Sequence, residues 1–481
     1  TLPPARSERW SWQGEQADQQ AFVSFSRGSG GGASVTNVTN VPDSTPGNQP
    51  SRRDFIRTSS ILVAGGLGIG RTAHARGTDV IRIGLIGCGS RGTAAAIQML
   101  NTTSGPVRLV ALADVFPDRL QAAYRQLRSR HGDQLDLPPE RRFTGLEAYR
   151  QLLETDVELV ILATPPGFRP QQFEAAVAAG KHVFLEKPVA VDVPGVRRVL
   201  DASAEAERKN LAVAVGLQRR HEPAYRETIA QLHSGQVGDF VTLRVYWNGG
   251  GVGTCPRQPT QSELEYQLRN WYYFTWLSGD HIVEQHVQNL DVANWLIQDL
   301  PVEVNAQGGR EVRKRRGNEG RDFGQIYDHF FCEFTYPNGV RVFSQSRHIR
   351  NCWNRVSEHV DGTSGSADIS GGKIYDRSGT IVWRTQATRD GHQQEQHDLL
   401  ADLRAGRVPN EGQYGAHSTL TAILGRLAAY SGQRIRWDEA LASHVTLANT
   451  SVLTSLADHA PTCPDQDGDY PIPVPGTTVT L

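Results

Sequence analysis

The chain has 481 residues, enough for two or three domains, and a net charge of −1 from 50 basic and 51 acidic residues. That balance gives no reason to expect nucleic acid or a charged membrane surface as a partner. The five cysteines, at 88, 255, 332, 352 and 463, fit neither metal-ligand spacing nor a disulfide framework. With Met99 the sole methionine, either a fragment or a misplaced start is expected.

Residues 1–50 are rich in Gly, Ser, Asn, Pro and Gln and lack apolar periodicity, so they are expected to be disordered. Residues 51–75 begin with Arg52-Arg53, continue into a short apolar stretch, Ile61–Ile69, and end at Ala73-His74-Ala75. Paired arginines, a short apolar core and a small-x-small site resemble a twin-arginine export signal. The expectation is a folded, exported protein, periplasmic or otherwise outside the cytoplasm, beginning near Arg76. The apolar core is too short to span a membrane.

Residues 80–218 alternate predicted strands and helices. The apolar run from Ile81 feeds Gly87-Cys88-Gly89-Ser90-Arg91-Gly92, which opens a helix, and Val107–Ala113 ends on Asp114. In such a unit Gly87 permits the tight turn, Gly89 lets backbone approach a pyrophosphate, and Gly92 lets helix pack on strand. The helix start holds the anion, and Asp114 accepts ribose hydroxyls. Asp114 favours NAD over NADP. Arg91 is a counterweight, because a guanidinium in the loop could neutralise a 2′-phosphate. Later strands, Val157–Ala163, Val183–Leu185 and Leu211–Gly216, run into Thr164-Pro165, Glu186-Lys187-Pro188 and Gln218-Arg219. This alternation predicts a doubly wound parallel sheet with its ligand at the strand ends.

From 221 to 460 the rhythm changes. Strands are expected at Phe240–Trp247, Val302–Gln307, Tyr327–Tyr336, Val340–Arg347, Ser357–Gly362, Ala367–Ser370 and Ile381–Arg384, with a hairpin turn at Pro337-Asn338-Gly339. One continuous helix is expected over Asp280–Leu296, and two more at Glu395–Ala405 and Ala416–Gly432. The basic run Arg313-Lys314-Arg315-Arg316 reads as a solvated loop. The fold class is therefore α/β, an N-terminal Rossmann domain followed by an α+β domain with an open, mostly antiparallel sheet. A proline-rich tail over 461–481 closes the chain.

These pieces together resemble the glucose–fructose oxidoreductase/inositol dehydrogenase/MocA family. The resemblance rests on Gly87–Gly92, Ala113-Asp114, Ala163-Thr164-Pro165, Glu186-Lys187-Pro188, Gly216–Arg220 and Asn289-Leu290-Asp291. It implies a bound nicotinamide cofactor, a sugar, sugar derivative or cyclic polyol as substrate, and a homo-oligomer formed through the open sheet. It also implies that Lys187 stabilises the reacting oxygen and that Thr164 and Pro165 flank the nicotinamide ribose. The bland alternative for Lys187 is an ion pair with Glu186.

Matching the family's spacing puts Glu284, Gln288 and Asp291 on one helical face. Gln288 departs from the pattern, since an amide cannot take a proton at neutral pH. His281, Glu284 and His286 are the nearby titratable candidates for a base. His281-x-x-Glu284-x-His286 is not read as a metal motif, because the two histidines fall on nearly opposite helix faces. Three readings stay open: an NAD-dependent oxidoreductase, a glycosidase working by oxidation, elimination and reduction, and a non-catalytic sugar-binding protein that retains cofactor.

Overall fold

The computed structural model describes residues 80–313 and 324–481. The expected disordered segment 1–50, the export signal 51–75 and the Lys314–Arg316 part of the basic run lie outside the described residues.

Six short strands form the first sheet: β1 (Ile81–Ile86), β2 (Val107–Asp114), β3 (Arg142–Thr144), β4 (Leu159–Leu162), β5 (His182–Leu185) and β6 (Val213–Val215). All pair in parallel, in the order β3-β2-β1-β4-β5-β6. β4 and β6 are apolar along their whole length and fully buried, as strands covered on both faces must be. The order reverses between β1 and β4, which opens a crevice at the carboxyl ends. Register aligns that edge: Ala113 lies opposite Ile86, Ile86 opposite Leu162, Leu162 opposite Leu185, and Leu185 opposite Val215. One residue further on, Asp114, Gly87, Ala163, Glu186 and Gly216 therefore stand in one row.

The second sheet has nine strands: β7 (Phe240–Gly249), β8 (Glu303–Gly309), β9 (His329–Thr335), β10 (Arg341–His348), β11 (Arg355–Gly362), β12 (Gly365–Asp368), β13 (Lys373–Asp376), β14 (Ile381–Arg384) and β15 (Ile435–Arg436). Their order is β14-β13-β12-β11-β7-β10-β9-β8-β15. Only β7 and β10 pair in parallel; every other pairing is antiparallel. Burial alternates along β10, so one face is covered and the other is open. The helices Val287–Ile297 and Gly412–Ser431 lie on the covered face. On the open face Phe331 stacks on Phe343 at 6.3 Å between ring centroids. Among the described residues no helix is long and apolar enough to cross a membrane.

Several elements differ from expectation. The helix expected over Asp280–Leu296 is two helices, His281–Glu284 and Val287–Ile297. Between them the His286 amide reaches the His281 carbonyl, a five-residue span that adds a residue to the turn. The short strands β3, β13 and β15 carry too little alternation to be read from sequence. The helix Glu263–Arg269 was also unread, although Ser262 and Glu265 are a capping pair: the Ser262 hydroxyl accepts from the Glu265 amide at 3.1 Å.

Candidate active site

The glycine loop follows β1. Gly87 has φ +97°, and a Cβ there would lie 2.6 Å from the Ala163 carbonyl carbon. At Gly92 a Cβ would meet the Gly87 oxygen at 2.0 Å. Gly89 is the opposite case, with nothing within 4 Å of a Cβ, so open space lies over it. The helix Ser90–Leu100 starts there with no side-chain cap, leaving amides free to meet an anion. Asp114 binds the loop back: its carboxylate accepts from the Cys88 amide at 2.6 Å and the Phe116 amide at 2.8 Å. Burial nevertheless holds Asp114 above the ordinary carboxylate range. The Cys88 thiol is buried against the Ala113 carbonyl, and burial and Asp114 push it up, so it is no nucleophile.

A cavity of about 330 Å³ lies over this loop. Gly87, Gly89, Ser90, Arg91, Gly92 and Asp114 form one side; Thr164 and Pro165 continue along the strand ends. These residues fit a dinucleotide: a glycine cradle, a helix start and a carboxylate in sequence around one space. Phe116, Arg119, Leu146, Phe168 and Gln172 also line it, and Leu268, Arg269 and Trp271 form a further part of its wall. That wall comes from the capped helix Glu263–Arg269 and the turn after it, neither of which the strand–helix rhythm reveals.

Arg91 is not free to meet a 2′-phosphate. Its guanidinium bonds the Glu186 carboxylate and lies 3.3 Å from Glu395 on the helix Gly391–Arg404. Glu186 is thus paired with Arg91 rather than with Lys187. Burial would raise its pKa, but Arg91, Arg169 and Lys187 outweigh burial and lower it. Arg169 itself is brought down to about 10 by burial, and it binds the Glu186 and Pro188 carbonyls at 3.1 and 2.6 Å. Gly216 lies under the Glu186 carboxylate, where a Cβ would stand 2.8 Å from its Oε2 and would have to displace it. Glu186 therefore acts beneath the cavity, not in it.

Lys187 follows on the same edge, before a cis peptide bond to Pro188. Its ammonium donates to the Glu284 carbonyl at 2.6 Å and to the Glu284 carboxylate at 3.1 Å. Gln218 donates to the Gln288 amide oxygen at 3.0 Å. Arg220 grips Asp291 with three bonds of 2.9 to 3.1 Å, and Ser418 adds a fourth at 2.7 Å. The strand ends thus meet the broken helix pair by pair. Asp291 is only 1% exposed and saturated, so it is an anchor.

The remaining sequence candidates lie elsewhere. Arg219 turns into the core, where it binds Glu358 beneath Trp247. His286 is buried with its Nε2 at 2.7 Å from the Ser344 hydroxyl, and burial brings its pKa down to about 3. His281 is fully buried and stacked on His348 at 4.2 Å, with its pKa held well below the ordinary value by burial and by His348. Both imidazoles are therefore neutral core groups. Among the described residues no three His, Cys, Asp or Glu side chains gather as a metal site.

Comparison with known proteins agrees with this geometry. Residues 81–216 match the GFO_IDH_MocA model, described as an oxidoreductase family with an NAD-binding Rossmann fold. The inositol 2-dehydrogenase of Rhizobium meliloti is 25% identical over 240 residues, which cover 50% of this chain and 62% of that protein. That of Acidothermus cellulolyticus is 29% identical over 234 residues, 49% of this chain and 58% of that protein. The match thus spans less than two thirds of either relative. Among solved structures, aldose-aldose oxidoreductase from Caulobacter crescentus, complexed with glycerol, aligns with a TM-score of 0.55 at 21% identity. The alignment covers 74% of this chain and 99% of that one. Scyllo-inositol dehydrogenase from Lactobacillus casei, with bound NAD(H) and scyllo-inositol, aligns with a TM-score of 0.56 at 18% identity, covering 75% and 99%. These structures share the fold: a parallel Rossmann sheet followed by a mostly antiparallel one.

Proposed function

We propose that this chain, whose residues 81–216 carry the NAD-binding Rossmann fold of the Gfo/Idh/MocA oxidoreductases, oxidises or reduces a secondary hydroxyl carbon of a cyclic polyol, sugar or sugar derivative. The observation that carries the reading is the Lys187–Glu284 pair at the carboxyl edge of that fold, 13% and 11% exposed at the side chains. Bound NAD supplies the acceptor for the hydrogen and electron pair that leave the carbinol carbon. Lys187 offsets the negative charge that develops on the oxygen. Glu284 receives the hydroxyl proton, since His281 and His286 are buried out of reach and Gln288 is an amide. Gln218 and Gln288 offer amide hydrogen bonds that orient neighbouring hydroxyls. The names of the inositol 2-dehydrogenases support a cyclic polyol as the class of substrate. The test is NADH formation by the holoprotein with a panel of inositols, aldoses and amino sugars; no redox change with any member sinks the reading.

Gln288 also favours a second reading, a glycosidase that oxidises a sugar hydroxyl, eliminates the aglycone and reduces the sugar again. Release of aglycone from aryl glycosides without net NADH would mark it. Two further parts of the reading concern location and assembly. The Arg52-Arg53 signal supports export, tested by fractionating cells that express the full chain with both arginines changed to lysine. The open face bearing Phe331 and Phe343 supports a homo-oligomer, tested by light scattering of the purified protein.

A further inference from the structure

Gln172 lies near the start of the helix Arg169–Ala178, which follows β4. It lines the cavity together with Thr164. The two side chains are joined: the Thr164 hydroxyl donates to the Gln172 Oε1, which sets the sense of the amide. Gln172 is only 5% exposed, yet its Nε2 makes no hydrogen bond with any described residue. Nor is that nitrogen closed to solvent, as both amide atoms of Gln396 are. The adjacent Gln171 has both ends of its amide occupied: its Nε2 donates to the Tyr149 hydroxyl at 2.8 Å, and its Oε1 accepts from Thr450 at 3.1 Å. Gln172 therefore holds a fixed, unused donor at the cavity wall, a group that a ligand oxygen engages without further ordering.

The cavity's parts follow the strand order. Asp114 ends β2, the glycine loop follows β1, and Thr164 lies just beyond β4, the next strand across. With the adenosine ribose at Asp114 and the pyrophosphate over Gly89, the second ribose of a dinucleotide falls toward Thr164 and Gln172. We infer that Gln172 is a cofactor-contacting residue, whose side-chain amide donates a hydrogen bond to a hydroxyl of the ribose on the nicotinamide side. Thr164 is its positioning residue. Having given its proton to Gln172, the Thr164 oxygen can only accept, so the pair presents one donor and one acceptor. That is the complement of a vicinal diol, in which one hydroxyl donates and its neighbour accepts. Holding this ribose orients the nicotinamide ring joined to it.

The test uses the full chain loaded with NADH, whose fluorescence follows its displacement by two probes. ADP-ribose carries the pyrophosphate and both riboses; ADP lacks the second ribose. The quantity compared is the advantage of ADP-ribose over ADP, the ratio of their dissociation constants. The wild type should bind ADP-ribose more tightly than ADP. Gln172→Met should cut that advantage by roughly fivefold or more, the size of one lost hydrogen bond, and leave ADP within twofold of wild type. Gln172→Glu still accepts from Thr164 but cannot donate at neutral pH, so it should lose the advantage too. Thr164→Val should reduce it in the same direction, because it frees the amide to turn. A wild type that binds both probes equally overturns the inference. So does an advantage kept within twofold of wild type in Gln172→Met and Gln172→Glu. Equal weakening of ADP and ADP-ribose by Gln172→Met also overturns it, since the donor would then serve the pyrophosphate.

Discussion

Lys187 donates to both the main-chain carbonyl and the carboxylate of Glu284, at 2.6 and 3.1 Å, across 97 residues of sequence. The two groups come from different sheets' territory: Lys187 from the edge of the Rossmann sheet, Glu284 from the end of a one-turn helix in front of the second sheet. The carbonyl bond fixes where the ammonium stands. The carboxylate bond leaves it a partner that can be exchanged for a substrate oxygen.

Lys187→Ala should therefore keep the fold and the bound NAD but lose at least roughly 10²-fold in turnover, the size typical of one lost electrostatic donor. Lys187→Arg should not restore it, because a planar guanidinium cannot occupy the place of a compact ammonium. NAD content and turnover measured on the same preparation check both. Near-normal turnover in Lys187→Ala with NAD retained would remove Lys187 from the chemistry.

The second prediction concerns discrimination between NAD and NADP. Arg91 is committed to Glu186 and Glu395, so nothing from the glycine loop screens Asp114 against a 2′-phosphate. Arg119 lines the same cavity and is the residual counterweight. NAD should be the cofactor extracted from the purified protein. Asp114→Ala should shrink the preference for NAD over NADP by about tenfold, as one lost repulsion and one lost acceptor imply. Equilibrium titration with both dinucleotides measures it.

Much of the candidate cofactor cavity's lining was legible because its logic is local. Gly87, Gly89, Gly92 and Asp114 sit in one strand–loop–helix–strand unit, where each glycine's task follows from the turn itself. The parallel sheet was legible for the same reason, since unbroken apolar runs alternate with helical segments. What sequence could not supply is pairing at long range. Arg91 meets Glu395 across 304 positions, and Arg220 meets Asp291 across 71. The face of the 280s helix was legible only in part. Glu284, Gln288 and Asp291 do meet the strand ends, whereas His281 and His286 lie in the core, a burial that local spacing does not announce. The wall Leu268–Trp271 was missed although Ser262-x-x-Glu265 announces its helix, because a seven-residue helix gives too short a period to stand out.

Stability should fall on both sides of neutrality. On the acid side, His286 and His348 are held near 3 by burial, against an ordinary 6.5. The unfolded chain takes up their protons first, so stability declines as pH drops from 6.5 toward 3. On the alkaline side, burial of His221 is outweighed by Asp398 at 2.8 Å and Glu411 at 3.1 Å, which raise it to about 9. Its contribution is full below 6.5 and is lost as pH rises through 9. Melting temperature against pH should show both limbs. His221→Asn should lower the melting temperature at neutral pH and flatten the alkaline limb alone.

The last prediction concerns how the cofactor leaves. Arg269 holds the cavity wall to the Rossmann domain: it bonds both carboxylate oxygens of Asp118 at 3.2 Å and lies 4.0 Å over the Phe116 ring. Phe116 and Arg269 both line the cavity, so this contact is a latch in its wall. Asp118 is 62% exposed at its side chain, so the ion pair is a weak one in water, and the bond to Arg269 lowers its pKa only against that background. Asp118→Asn should therefore speed NAD release by only about two- to fivefold, and added salt should mimic the change in the wild type. Arg269→Ala should act more strongly, because it also strips the cation from Phe116 and the partner from Glu265. Release is followed by stopped-flow transfer of NADH fluorescence to a trapping dehydrogenase. If export of a loaded protein is its biology, the wild type should also keep its NAD through prolonged dialysis and work without added cofactor. Rapid loss on dialysis, with no difference among the three proteins, would mean that the latch does not set retention.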